Sequence, residues 1–152
     1  MKQTKSLVTG GAGFIGSHLA DKLLELGHEV VIIDDLSSGK SENVPRNATF
    51  IPLRLGAHSK YHSNAVLDEA LKGVDFVFNL AANPSVSDSL EDPVKTHNQT
   101  VSGTVQLLDR IRRMSKLPKI IQTSSCAVYG KGHDDELVCE ESKKNFGTPY
   151  AI

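Results

Sequence analysis

The sequence predicts an α/β fold in which a doubly wound parallel sheet of about five strands carries helices on both faces. Two observations predict this fold. Short apolar or β-branched runs alternate with longer stretches of helical periodicity along most of the chain. A glycine-rich turn at residues 9–16 lies between the first of these runs and the first helical stretch, which is the arrangement of a strand, a tight turn and a helix.

Length and charge limit the possible functions. The 152 residues fit one domain, which we place at residues 1–152, and 17 basic against 18 acidic residues leave it nearly neutral. No basic cluster indicates nucleic acid, and no apolar run approaches membrane-spanning length. Cys126 and Cys139 lack the spacing of metal ligands or redox motifs, so we expect them to be packing residues. We therefore expect a cytoplasmic protein with no nucleic-acid, membrane or metal partner.

The glycine turn is the first candidate binding element. Its spacing has two readings, which start at Gly10 or at Gly11 and share Gly13 and Gly16. Glycine suits backbone angles that other residues resist, and it lets a phosphate approach the main chain at the start of a helix, where the dipole favours negative charge. Such turns also serve as plain connectors, so the neighbouring motifs must decide.

The second predicted strand, residues 29–33, ends at Asp34. In dinucleotide-binding folds an acidic residue about 20 positions after the glycine turn accepts hydrogen bonds from the ribose hydroxyls of the adenosine. Asp34 lies near that interval from Gly16, and its charge favours NAD because it would repel a 2′-phosphate. Asp34 could instead only begin the loop at residues 36–39.

The third predicted strand covers residues 49–53 and ends near Pro52. The following region, residues 54–64, lacks apolar periodicity, and we expect a solvated loop there. His58 and His62 stand four residues apart, as a metal pair on a helix would, but no third ligand is evident.

A helix at residues 65–72 and a fourth strand at residues 74–80 continue the alternation. Ala81 and Ala82 close this strand; their small side chains either admit a cofactor to the backbone or only allow close packing. We expect a polar loop at residues 83–91.

A long helix, residues 94–114, follows the loop. Its apolar residues recur at helical spacing, which predicts a buried stripe. The stripe consists of Val101, Val105, Leu108 and Ile111.

The fifth predicted strand, residues 117–122, leads directly into a segment with two serines, Ser124 and Ser125. Hydroxyls at the carboxyl end of a parallel strand lie on the ligand-binding side of such sheets, although serine there also caps turns and helices. We predict no regular element for residues 131–148.

Taken together, four segments resemble the extended short-chain dehydrogenase/reductase family, and within it the NAD-dependent nucleotide-sugar epimerases and dehydratases of the UDP-glucose 4-epimerase type. In chain order they are residues 9–19, 34–39, 79–82 and 124–130. Four ordered motifs are far more specific than one glycine turn. The resemblance implies a Rossmann-like fold with NAD as cofactor.

The resemblance also implies which residues hold NAD. It places the pyrophosphate at the glycine turn, the adenosine ribose at Asp34, and the rest of the cofactor along residues 80–82. The cofactor-binding residues expected on this basis are Gly10, Gly13, Phe14, Ile15, Gly16, Asp34, Asp35, Leu36, Ser37, Gly39, Leu80, Ala81 and Ala82.

For catalysis, the resemblance implies Ser125 as a hydroxyl donor and Tyr150 as the acid/base of a Tyr-x-x-x-Lys pair. In that pair an ammonium lowers the phenol pKa from about 10 toward neutral pH. The lysine would be residue 154, and the sequence ends at Ile152. We therefore expect the NAD-binding part of a nucleotide-sugar epimerase, with an incomplete sheet and no C-terminal substrate region. Such a part is expected to be inactive alone, and a homo-oligomer is compatible with it.

Two departures from the family pattern keep an alternative open. Residues 53–57 read Leu-Arg-Leu-Gly-Ala, where the family usually has Gly-Asp-Ile-Arg-Asp near the adenine. Thr100 stands where Asn is frequent. The alternative is a non-catalytic dinucleotide-binding or interaction module that contacts a partner through an exposed sheet edge.

Overall fold

A five-stranded, fully parallel sheet forms the centre of the chain in the computed structural model, which describes residues 3–56, 60–130 and 137–151. The strand order β3-β2-β1-β4-β5 confirms the predicted Rossmann-like, doubly wound α/β fold. The strands are β1 (Lys5–Thr9), β2 (Glu29–Asp34), β3 (Thr49–Pro52), β4 (Phe76–Asn79) and β5 (Lys119–Gln122).

Helices connect these strands. They are α1 (Phe14–Glu25), α2 (Lys60–Leu71), α3 (Val86–Glu91), α4 (Pro93–His97) and α5 (Gly103–Ile111). A π-helical segment, Asn98–Ser102, joins α4 to α5, and short 3₁₀ turns occupy Ser41–Asn43, Cys126–Tyr129 and Pro149–Ala151.

Each face of the sheet has its own apolar core. Val8, Val30 and Ile32 contact Ala20 and Leu23 of α1 on one face. The other face packs against α2 and α5, through buried residues that include Leu7, Val31, Ile33, Leu67, Val77, Leu107 and Ile111. Residues of β1 and β2 alternate between the two cores because successive side chains of a strand point to opposite faces. Both faces of the central strands are therefore covered.

The predicted core stripe of the long helix is wrong at two of its four positions. Val105 is 59% exposed and Leu108 is 41% exposed, whereas Leu107 and Ile111 are buried. The spacing of the predicted stripe explains the error, because each step of three residues turns an α-helix by about 300° rather than a full turn. Val105 therefore lies about 120° from the buried Ile111 around α5, whereas Leu107 lies about 40° from it.

The predicted polar loop at residues 83–91 is also corrected, because it contains α3. Ser85 caps this helix: its Oγ accepts the N–H of Asp88 (3.0 Å) and donates to the Asp88 carboxylate (2.6 Å). Asp92 caps α4 in the same way by accepting the N–H of Lys95 (2.9 Å), with Pro93 in the first turn. The spacing Ser85-x-x-Asp88 was the sequence signal for α3.

Two further expectations need correction. α2 begins at Lys60, inside the region predicted as a loop. His58 and His62, for which a metal pair was considered and not expected, fall outside the described side chains. Cys126 and Cys139 are both exposed, so their predicted packing role is wrong. In the described ranges, no helix has the length and apolar character needed to cross a membrane.

Candidate cofactor site

The strand order creates a crevice at the carboxyl ends of β1 and β4. From β1 the chain continues to β2 on one side of the sheet, while β4 lies on the other side, so the connections diverge there. Gly10 follows β1, and the predicted cofactor residues Leu80, Ala81 and Ala82 follow β4. The structure thus brings two separately predicted motifs to the switch point of the sheet.

Gly10 contacts the segment after β4 directly through the backbone. Its φ is +69°, in the left-handed region, and a Cβ at this position would lie 3.0 Å from the Leu80 carbonyl carbon and the Ala81 nitrogen. Both constraints require glycine. Gly11 is crowded as well, because a Cβ there would lie 2.5 Å from Cγ2 of the buried Ile32, so each reading of the turn begins at a glycine with a structural reason.

The glycine turn closes against the start of α1. A Cβ on Gly16 would lie 2.2 Å from the Gly10 carbonyl oxygen, so the helix can approach the turn only because residue 16 is glycine. Gly13 is the N-cap residue, and no side chain caps this helix. Phe14 and Ile15 in its first turn are 79% and 64% exposed. The N-terminal end of α1 is thus an accessible position for an anion.

Asp34, the predicted ribose ligand, is held at the end of β2 by two backbone donors. Its Oδ2 accepts the N–H of Ala12 (3.0 Å) and its Oδ1 accepts the N–H of Leu36 (2.8 Å). The side chain is 9% exposed. The carboxylate is therefore fixed against the glycine turn, and each oxygen keeps a second lone pair for a hydroxyl donor.

The loop after Asp34 closes back on the same turn. A Cβ on Gly39 would lie 2.8 Å from the Ala12 carbonyl carbon, and the N–H of Lys40 donates to the Ala12 oxygen (3.1 Å). Leu36 has a φ of +58°, which is rare for a residue with a branched apolar side chain. Backbone strain of this kind concentrates at functional positions.

Both carboxylate oxygens of Asp35 accept hydrogen bonds from other groups of the chain. Its Oδ1 accepts the N–H of Ser37 (2.9 Å), and its Oδ2 accepts Nε of Arg54 (2.6 Å). Burial raises the pKa of Asp35, but the hydrogen bonds from Ser37 and the ion pair with Arg54 outweigh it and leave the pKa below its usual value of 3.8.

Sequence reasoning missed a polar network beneath the crevice. Thr9 at the end of β1 donates to Asn79 Oδ1 of β4 (2.6 Å). The amide nitrogen of Asn79 donates to Gln122 Oε1 (2.8 Å) and Thr104 Oγ1 (3.1 Å). Thr9 Oγ1 also accepts the N–H groups of Leu80 (3.2 Å) and Ala81 (3.1 Å). An asparagine at the end of an otherwise apolar strand was the available signal.

The two predicted catalytic residues lie in neighbouring turns beyond β5. Ser125 caps the turn Cys126–Tyr129 by accepting the N–H of Ala127 (3.2 Å), so its role as a cap is observed. Tyr150 lies in the turn Pro149–Ala151, which contacts the 126–129 turn as well as α3 and α4. Both side chains are half-buried. The fold therefore packs the turn that Ser125 caps against the turn that contains Tyr150, although the two residues are 25 positions apart in the chain.

The region that departs from the family pattern bonds to the end of β2 through Leu53 and Arg54, and beyond them it packs against α5. Leu55 is buried in the core, and the N–H of Gly56 donates to Gln106 Oε1 of α5 (2.7 Å). A Cβ on Gly56 would lie 2.0 Å from the Asn98 oxygen, so this backbone packs tightly on the π-helical segment. Across residues 3–56, 60–130 and 137–151, His, Cys, Asp and Glu form no group of three suited to a metal.

The sheet order, the glycine turn at the switch point and the fixed carboxylate after β2 together define a dinucleotide-binding α/β protein. Residues 6–152 match the family model described as the NAD dependent epimerase/dehydratase family. The chain belongs to this family, which confirms the resemblance found in the sequence.

Curated relatives are named for different reactions on UDP-sugars. A putative UDP-glucose 4-epimerase from Methanocaldococcus jannaschii is 37% identical over 127 residues, which cover 82% of this chain and 39% of the relative. A UDP-N-acetyl-alpha-D-glucosaminuronate decarboxylase from Bacillus cytotoxicus is 36% identical over 157 residues, covering 97% of this chain and 46% of the relative. The chain thus spans less than half the length of these relatives.

Solved structures extend the comparison to the fold and the cofactor. The crystal structure of a UDP-glucose 4-epimerase from Thermus thermophilus, a complex with NAD, matches with a TM-score of 0.87 and 34% identity. The match covers 97% of this chain and 46% of that one. NAD as the cofactor of the family is therefore confirmed.

Proposed function

We propose that residues 1–152 form the NAD-binding part of an enzyme that converts UDP-sugars, most closely an epimerase of the UDP-glucose 4-epimerase type. One observation carries the proposal: the backbone contact between Gly10 and the Leu80–Ala81 peptide at the switch point of the sheet. This contact places the uncapped start of α1, Asp34 and the segment after β4 around one crevice.

The residues present fit the cofactor. The pyrophosphate binds at the N-terminal end of α1, where Gly13 leaves the backbone open and the helix dipole favours anions. The hydroxyls of the adenosine ribose donate hydrogen bonds to the remaining lone pairs of the Asp34 carboxylate. Leu80, Ala81 and Ala82 border the rest of the cofactor with small or backbone groups, and the exposed side chains of Phe14 and Ile15 flank the phosphates.

NAD, when bound, supplies reversible hydride acceptance and donation. The chain's own residues then handle protons: Tyr150 moves a proton at a sugar hydroxyl, and Ser125 orients that hydroxyl by hydrogen bonding. The Tyr-x-x-x-Lys motif needs a lysine at position 154, which residues 1–152 do not include. We therefore propose that residues 1–152 bind NAD and that turnover needs a polypeptide that extends through that position.

The test is calorimetric titration of NAD into the purified chain and into two glycine variants. In Gly13→Ala, the new Cβ would meet only the Gly10 oxygen, at 3.3 Å, so the variant should fold with nearly unchanged thermal stability. Its Cβ would nevertheless hold a phosphate away from the helix, and NAD affinity should fall at least about tenfold. Gly147→Ala is the matched control, because its Cβ would meet no atom within 4 Å.

Saturable binding by the wild type and Gly147→Ala, with weakened binding by Gly13→Ala, supports the proposal. A folded wild-type chain that binds no NAD contradicts it. A parallel assay of UDP-glucose and UDP-galactose interconversion should show turnover only with a longer polypeptide that includes the lysine and the C-terminal region.

One observation favours a second candidate, the non-catalytic interaction module. All four residues of β5 are exposed, and in the described part of the chain β5 lies at the sheet edge with Ile120 and Ile121 39% and 42% exposed. Such an edge favours association with another chain. Light scattering coupled to size-exclusion chromatography separates the two: a stable monomer with ordinary NAD affinity counts against the module.

A further inference from the structure

The Asp35–Arg54 ion pair stands directly beside the proposed ribose site. Asp35 follows Asp34 in the chain, and the N–H of Leu53, the residue before Arg54, donates to the Asp34 carbonyl oxygen (3.0 Å). Nε of Arg54 donates to Asp35 Oδ2 at 2.6 Å. The guanidinium is therefore held at the end of β3, next to the carboxyl end of β2.

The two members of this pair differ in how far they are exposed and in how many hydrogen bonds hold them. The Asp35 side chain is 18% exposed and also accepts the N–H of Ser37, whereas the Arg54 side chain is 55% exposed. Asp35 is thus the more firmly held partner, and Arg54 is the more accessible one, with donors left for another anion.

The charges at this corner can be counted. Asp34 and Asp35 contribute two negative charges and Arg54 contributes one positive charge, which leaves a net charge of −1. A free arginine near the ribose is the group that accommodates the 2′-phosphate of NADP. Here the arginine is neutralised by Asp35, so the remaining negative charge of Asp34 opposes a phosphate.

We propose that Asp35 is a specificity-determining residue that acts through Arg54: it occupies the guanidinium beside the ribose and thereby keeps the site selective for NAD over NADP. This inference rests on the proposed NAD-binding function. It also gives Asp35 a role different from the direct cofactor contact expected from the sequence, because Asp35 works by withholding a cation.

Three variants test the proposal through the ratio of NADP affinity to NAD affinity. Asp35→Asn changes the net charge of the corner from −1 to 0 and frees Arg54, so the ratio should rise about five- to tenfold at low ionic strength. Arg54→Gln leaves two unopposed carboxylates and should lower the ratio below that of the wild type. The double variant restores the net charge of −1 and should return the ratio near the wild-type value.

Lys40 is a second cation in this loop region and is paired with Glu42 (3.6 Å). The double variant separates its effect on NADP affinity from that of Arg54. If Lys40 were the group that attracts the 2′-phosphate, the double variant would keep the raised ratio of Asp35→Asn, which would overturn the assignment to Arg54. Each variant is measured by calorimetry with NAD and with NADP, after circular dichroism has confirmed folding.

The order Asp35→Asn, wild type, Arg54→Gln in falling preference for NADP supports the proposal, and any two folded members of the series suffice to test it. An unchanged ratio in folded variants that bind NAD overturns this inference and leaves the proposed function intact. A folded wild type that binds neither dinucleotide overturns both.

Discussion

The hydroxyl of Thr9 donates to the side-chain oxygen of Asn79 at 2.6 Å, a buried bond that joins β1 to β4 at their carboxyl ends. The same hydroxyl oxygen accepts the N–H groups of Leu80 and Ala81. One side chain therefore fixes the segment that faces Gly10 across the crevice. The geometry of the candidate cofactor site depends on this polar contact within an otherwise apolar sheet.

Replacement of Thr9 by valine keeps the shape of the side chain and removes these bonds. Asn79 Oδ1 loses its buried donor and the half-buried N–H of Ala81 loses this acceptor, while the N–H of Leu80 keeps the Thr9 carbonyl oxygen (3.3 Å). The free energy of unfolding should therefore fall by about 1–3 kcal/mol. Urea denaturation measures the change. Thr49→Val in β3 makes the same chemical change at an exposed position and should have little effect. Equal losses in the two variants would contradict the role given to Thr9.

The close approach of α1 to the glycine turn makes Gly16 intolerant of any side chain. In Gly16→Ala, the Cβ would lie 2.2 Å from the Gly10 oxygen and 2.7 Å from the Gly11 Cα, so the backbone must move. We expect a loss of about 1–3 kcal/mol in unfolding free energy, as for other overpacked sites, together with loss of NAD binding. Gly147→Ala serves again as the control, and a Gly16→Ala variant as stable as that control would disprove the packing argument.

The ion pair of Asp35 predicts a specific pH dependence of stability. Since the pKa of Asp35 is lowered in the folded protein, its contribution is present above its usual value of 3.8 and is lost as the pH falls through the folded pKa. The difference in unfolding free energy between wild type and Asp35→Asn should therefore shrink on acidification from about pH 5 to about pH 3. Arg54→Gln should weaken this dependence, because it removes part of the cause. A difference that grows on acidification would have the wrong sign.

We predict that the contact with Ser142 makes the exposed thiol of Cys139 more reactive toward alkylation. Hydrogen bonds from the Ser142 hydroxyl and from the Glu141 and Ser142 backbone lower the pKa of Cys139 below its usual value of 9.0. Ser142→Ala should raise this pKa, reduce the thiolate fraction near neutral pH and slow alkylation by iodoacetamide. Peptide mass spectrometry follows the rate, with Cys126 in the same sample as the internal reference. An unchanged Cys139 rate relative to Cys126 would refute the contribution of Ser142.

The sequence predicted the fold well where local patterns dominate. All five strands and the glycine turn were found, because β-branched runs and glycine spacing are set by neighbours in the chain. The exposure of Val105 was mispredicted, because a stripe stepped at three residues drifts around an α-helix and leaves the face that Leu107 and Ile111 bury. The capped helix α3 was read as a loop because polar capping residues resemble loop residues.

In the candidate site, too, features set by local sequence could be predicted and features set by tertiary packing could not. Spacing made the glycine turn and Asp34 candidates, because both follow strands that the sequence predicts, but the choice of Gly10 over Gly11 came only from the family resemblance. The Thr9–Asn79 bond and the Asp35–Arg54 pair join residues 70 and 19 positions apart, and only the sheet order brings them together. The contact between the turns of Ser125 and Tyr150 depends in the same way on tertiary packing.

NAD is proposed to bind in the crevice between β1 and β4. Amide chemical-shift mapping of the isotope-labelled chain during NAD titration tests it most directly. The predicted result is that the largest shifts fall at residues 10–16, 34–37 and 80–82 and saturate together. Shifts confined to the opposite end of the sheet, around Asp75 and Lys116, or no saturable shifts in a folded protein, would contradict NAD binding in this crevice.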